Sequence, residues 1–138
     1  MAKGPESLLH QKVKENLPKS IITRLESRVG LGIPDCLVGL IGQRFVMIEL
    51  KVVKSGRKVK MSPHQIAFNL SHGREGLPVF ILVLHRKTGT TKASDAKLLL
   101  YHGSQSQELY DQGVDAEPLA WWPYDDVDWH EMRHNLLK

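Results

Sequence analysis

Residues Pro78 to Leu84, PVFILVL, form an almost unbroken apolar run that ends in a polar stretch, HRKTGTTKASDA. A strand with one face in water alternates apolar and polar residues, whereas a strand covered on both faces does not. This run therefore calls for a sheet with cover on both sides. Pro5 followed by Glu6 suits the first turn of a helix, where Pro costs little and an acid complements the dipole. Leu9, Val13 and Leu17 then recur at helical spacing until Pro18. Ile21 to Glu26 suits a first strand, SRVGLGIP is a glycine-rich turn, and DCLVGL is a second strand that stops by Gly42. Arg44 to Val53 reads as a third strand, forming a hairpin with the second across IGQ. Ser62-Pro63-His64-Gln65 has the form of a capping box, opening a helix with Ile66, Ala67 and Leu70 on one face and its end near Gly73. After PVFILVL come a fifth strand, KLLLYH, a short helix, SQSQELYDQ, and a final helix, DDVDWHEMRHNLL, with Trp129, Met132 and Leu136 on one stripe. The order α-β-β-β-α-β-β predicts an α/β fold, a mixed sheet flanked by helices. It forms one domain over residues 1–138, with a core over 5–103 and a helical tail over 104–138.

Composition narrows the function. The 138 residues are enough to bury a real core, and no apolar run approaches the roughly 20 residues that span a bilayer. The start, MAKGPESLLHQK, lacks the apolar centre of a signal peptide, and a single cysteine, Cys36, excludes an internal disulfide. Both features predict a cytoplasmic protein with no membrane partner. A net charge of +4 and a pI near 9.3 favour a polyanionic partner such as nucleic acid.

The third strand carries two charges inside an apolar run: FVMIELKVV, Phe45 to Val53. A buried charge costs several kcal/mol, on the order of the penalty for an unpaired ion, unless it is paired or bound to a metal. Strand alternation puts Glu49 and Lys51 on one face and Ile48 and Leu50 on the other. If strands two and three pair, Asp35 at the start of one lies beside Glu49 near the end of the other. Two converging carboxylates repel each other unless a cation sits between them, and hard oxygen donors favour Mg²⁺ or Mn²⁺. A neighbouring lysine can then orient water and stabilise charge on a phosphate. An acid-x-Lys triplet arises about once by chance in a chain of ordinary composition. Asp95-Ala96-Lys97 is such a decoy here. What distinguishes Glu49-Leu50-Lys51 is its place inside a β run, a hairpin's length after a Pro-Asp. The alternative is a cross-strand salt bridge at a sheet edge.

Ile33-Pro34-Asp35, Ile48-Glu49-Leu50-Lys51 and Ser62-Pro63-His64-Gln65, in that order, resemble the PD-(D/E)xK nucleases, nearest the compact Holliday junction resolvase and VRR-NUC branch. The resemblance covers Glu6 to Leu84. It implies a restriction-endonuclease-like core, Mg²⁺-dependent DNA endonuclease activity on branched DNA, a 5′-phosphate product and a homodimer. On this reading Asp35, Glu49 and the carbonyl of Leu50 bind the metal and Lys51 is the catalytic lysine. Gln65 corresponds to a glutamine near the metal, which the capping box explains equally well. Glu6 matches the additional acid that many members contribute from the first helix; as an N-terminal dipole partner it needs no metal. Ser27 and Arg28 fall where resolvases carry a DNA-contacting loop. Within this class the alternatives are flap, nick or other recombination-repair nucleases; outside it, a branched-DNA-binding module without chemistry.

Four further features compete for a role. Lys54, Arg57, Lys58 and Lys60 form a basic loop, a solvated charge run by default and a DNA-backbone contact if the neighbouring strand is catalytic. His130-Glu131-Met132-Arg133-His134 matches HExxH, a zinc-protease pattern, but only four residues follow it and it lacks a downstream third ligand. Cys36 follows Asp35 and should face away from it as a buried structural thiol. Trp121 and Trp122, between Pro118 and Pro123, suit packing against a core or a second subunit better than base stacking.

Overall fold

The computed structural model describes residues 4–25, 31–86 and 95–138. Its elements follow the order α1 (Pro5–Asn16), β1 (Ser20–Arg24), β2 (Cys36–Leu40), β3 (Arg44–Val53), α2 (Pro63–Gly73), β4 (Val79–Arg86), β5 (Ala96–His102), α3 (Ser106–Gln112), β6 (Ala120–Pro123) and α4 (Trp129–Leu136). The six strands make one sheet in sequential order, β1 to β6. β3 and β4 are parallel, joined through α2, and every other neighbouring pair is antiparallel. This is the mixed sheet flanked by helices that the element order predicts.

Each face of the sheet has its own core. Leu9 and Val13 of α1 and Met132 and Leu136 of α4 pack on Val38, Ile48, Leu50, Phe80 and Leu82. On the opposite face, Val59, Met61, Leu109 and Ala116 cover Val53, Ile81, Val83, Leu99 and Tyr101. β4 thus feeds both cores, with residues 79 to 84 all buried. That is the physical reason for its unbroken apolar run.

Several boundaries differ from the sequence expectation. β1 ends at Arg24 rather than Glu26, which lies outside the described residues. The expected SQSQELYDQ helix is split: a 3-10 turn, Gly103–Gln105, precedes α3. The last helix begins only at Trp129, because Asp128 caps it, its Oδ1 accepting from the Glu131 amide at 3.0 Å. The expected helical tail also contains a strand, β6, whose Trp122 is buried in the α1/α4 core while Trp121 lies half exposed under the Lys97 ammonium. The flanking prolines hid this strand. An edge strand tolerates Pro where its amide faces away from the sheet. Among the described residues no helix is long and apolar enough to cross a membrane.

Candidate active site

β2 pairs with β3 only as far as Cys36 opposite Ile48. Beyond that point the second half of β3 has β4 on one side and, among the described residues, no strand on the other. Asp35 fills the gap: its Oδ2 accepts a 2.9 Å hydrogen bond from the Leu50 amide, which would otherwise bond a longer β2. The main-chain carbonyl of Leu50 faces the same open side, since both main-chain groups of a strand residue point to one neighbour.

Glu49 and Lys51 stand on the opposite sheet face from Ile48 and Leu50, as alternation requires. The ion pair these residues make, Lys51 Nζ to Glu49 Oε2 at 3.9 Å, joins two residues of one strand rather than crossing between strands. Glu49 is only 2% exposed. Its Oε2 lies 3.9 Å from Lys51 Nζ and accepts a long hydrogen bond, 3.4 Å, from Gln65 Nε2. Its Oε1 is buried with no hydrogen-bond partner. Burial, then a proton shared with the Asp35 carboxylate and that carboxylate's charge, push the Glu49 carboxyl up to about 9 against the opposing pull of Lys51. At neutral pH Glu49 therefore holds a proton unless a cation comes between the two acids.

Gln65 organises the other side. Its Oε1 accepts from Lys51 Nζ at 2.9 Å and from the Ser62 amide at 3.0 Å, while Ser62 Oγ accepts from the Gln65 amide at 3.1 Å. The capping box and the contact with Lys51 are thus one arrangement, and both readings of Gln65 hold together. A close approach sets the spacing. Gly32, at φ +75°, packs against the first turn of α2, and a Cβ there would collide with the His64 carbonyl and the Gln65 amide. The turn that carries Asp35 is pressed onto the helix that carries Gln65.

Glu6 is exposed on the first turn of α1, yet partial burial and then the charge of Asp35 raise its carboxyl, while Lys51 and Arg24 lower it. It lies within the field of the acid pair without completing a ligand set. Among the described residues no three His, Cys, Asp or Glu side chains gather in metal-holding geometry. The donors available to a cation are the Asp35 and Glu49 oxygens, one of them unpartnered, and the Leu50 carbonyl. These hard oxygens suit Mg²⁺ or Mn²⁺, which complete their shell with water or substrate.

A groove beside the end of β3 is lined by Glu6, Arg24, Val52, Val53, Lys54, Lys58 and Lys60. Arg24, whose guanidinium donates to Ser7 Oγ at 2.8 Å, is a groove residue that strand reading passed over. Its one sequence signal is a cation next to the loop that precedes Asp35. Arg57 turns the other way and pairs with Asp115 at 2.7 Å. Ser27 and Arg28 lie outside the described residues.

No protein-family model matches the chain, and no curated protein matches it. Among solved structures it is similar to Hjc of Archaeoglobus fulgidus, a Holliday junction resolvase from an archaeal hyperthermophile. The identity is 11% and the TM-score 0.42, over 74% of this chain and 75% of that chain.

The remaining candidates are structural. Cys36 is buried in the α1/α4 core, its thiol pushed up to about 12 by burial and then by Asp35, so it is no nucleophile at neutral pH. His130, Glu131 and His134 lie exposed on α4, opposite the buried Met132 and Leu136, with no third ligand type gathered beside them among the described residues.

Proposed function

We propose that the chain is a metal-dependent DNA endonuclease of the PD-(D/E)xK type, with a restriction-endonuclease-like core, that cuts branched DNA and resolves Holliday junctions. The observation that carries this reading is the buried Glu49, its Oε1 unpartnered, set beside Asp35 and within reach of Lys51. A structural carboxylate is normally hydrogen-bonded or exposed. One left short of partners next to another acid has the character of a site that awaits a cation.

Asp35, Glu49 and the Leu50 carbonyl would hold Mg²⁺, with Mn²⁺ able to replace it. When bound, the ion supplies Lewis-acid polarisation of the scissile phosphate and neutralises its growing charge. Lys51 is steadied by Gln65 Oε1 and keeps further N–H donors for the attacking water or a non-bridging phosphate oxygen. The water oxygen would bond to phosphorus and give up a proton to solvent, the P–O3′ bond would break and the 3′ oxygen would take a proton from solvent, leaving a 5′ phosphate and a 3′ hydroxyl. Lys54, Lys58 and Lys60 line the adjoining groove and would hold the backbone without reading sequence. Two copies in a homodimer would supply centres for opposite strands, as symmetrical cutting requires.

The test is cleavage of a four-way junction, a flap and a linear duplex in Mg²⁺ or Mn²⁺. Wild type should cut the junction, and Glu49→Gln and Lys51→Ala should each lose at least about a hundredfold in rate. Either variant cutting at the wild-type rate overturns the assignment. Tight junction binding without cleavage, unaffected by Glu49→Gln, would leave a binding module instead.

A further inference from the structure

The C-terminal part of the chain, which the family resemblance does not reach, meets the basic loop after β3. The Val114 amide donates to the Arg57 carbonyl at 2.8 Å, and Arg57 Nη1 donates to Asp115 Oδ2 at 2.7 Å. Gly113 sits at φ +65°, and a Cβ there would collide with the Arg57 carbonyl, so this contact admits only glycine. Two apolar anchors follow in the loop: Val59 and Met61 are buried beside Leu109 and Ala116. On the near side, His85 Nε2 lies 2.8 Å from the Gly56 carbonyl. The backbone is therefore held at Gly56, Arg57, Val59 and Met61, while Lys54, Lys58 and Lys60 line the groove.

We propose that the turn Gly113–Ala116 sets the position of this loop, with Gly113 and Asp115 as positioning residues for phosphate contacts made by Lys54, Lys58 and Lys60. The proposal rests on the nuclease reading and deepens it: Arg57 is a tether, and the three lysines are the contacts. A mobile run of cations would lose backbone entropy on ordering against DNA. A loop already ordered loses less, so its position adds to the affinity its charge supplies. The Arg57–Asp115 pair is exposed and so individually weak, and its loss changes affinity by about fivefold or less.

The sign of the effect separates this from simple charge. Removing an acid beside a DNA groove strengthens binding to a polyanion, whereas removing a strut weakens it. The experiment follows the anisotropy of a labelled four-way junction bound by the full chain in Ca²⁺, at one fixed salt concentration, together with hydrogen exchange of the amides at 56–60 without DNA. Asp115→Ala should weaken binding about two- to fivefold and speed that exchange. The charge-swapped pair Arg57→Asp with Asp115→Arg should restore both, whereas Arg57→Asp alone should not. An Asp115→Ala variant that binds as tightly as wild type, or whose loop exchanges at the wild-type rate, overturns the proposal. So does a swap that fails to rescue. The two failures are distinct: a wild type that binds no DNA overturns the nuclease reading and the loop's part in it. A wild type that binds and cuts, beside an Asp115→Ala variant that binds equally well, overturns this inference alone.

Discussion

Glu49 is the residue whose chemistry the fold changes most. Its carboxyl titrates near 4.5 when free and is pushed up to about 9 in the folded, metal-free chain, chiefly by burial. The folded state therefore holds a proton that the unfolded state gives up. The stability tied to that proton is complete below pH 4.5 and drains away as the pH rises towards 9. Glu49→Gln removes the titration. In the presence of chelator the variant should be more stable than wild type by about 1–3 kcal/mol at mildly alkaline pH and no different near the ordinary carboxylate range. Denaturant unfolding across pH measures this, and parallel curves for the two proteins would refute it. The placement of Asp35, Glu49 and Lys51 was legible beforehand because it depends on strand alternation and a short hairpin. That Glu49 Oε1 is left unpartnered was not, because it depends on what the neighbouring elements fail to supply.

Among elements, α2 carries the closest coupling between stability and the site. Its capping box uses the same Gln65 oxygen that accepts from Lys51. Ser62→Ala removes the hydroxyl that receives the Gln65 amide and should cost about 1 kcal/mol. It should also slow junction cleavage by more than that stability loss explains, because the Gln65 main chain loses the Ser62 hydroxyl that fixes it at the helix start; urea titration and the cleavage rate measured far from the transition check the two parts. The capping box itself was plain in Ser-Pro-His-Gln, a purely local pattern. β6 was not, since its four residues, Ala120–Pro123, end in a proline and gain strand character only from pairing with β5. Gly32 is likewise a turn residue in sequence, and its contact with α2 depends on a helix some thirty positions away.

At the scale of the whole molecule the last third of the chain is part of the body rather than an appendage. Met132 and Leu136 of α4 are fully buried in the same core as α1. Arg44, at the start of β3, donates to the Leu136 carbonyl at 2.6 Å, and Arg133 donates to the Ile41 carbonyl at 3.1 Å. Burial of two such side chains is worth about 3–6 kcal/mol. That is comparable to the total stability of many domains. Ending the chain at Asp128 should therefore abolish or gravely weaken cooperative unfolding, which calorimetry of the truncated protein decides. A truncated chain that melts as wild type does would show that the core closes without α4.

By itself the sequence determined the strands and helices whose patterns are local: the α1 stripe, the β2–β3 hairpin, the α2 cap and the doubly covered β4. It also determined that Glu49 and Lys51 share a face, because the period of a strand is two. Only the tertiary structure decided that Asp35 caps the open side of β3, that Gln65 joins the helix cap to Lys51, and that Asp115 reaches Arg57. These contacts join residues 14 to 58 positions apart. No repeat or propensity links such positions along the chain. They meet because sheet order and close packing bring them together.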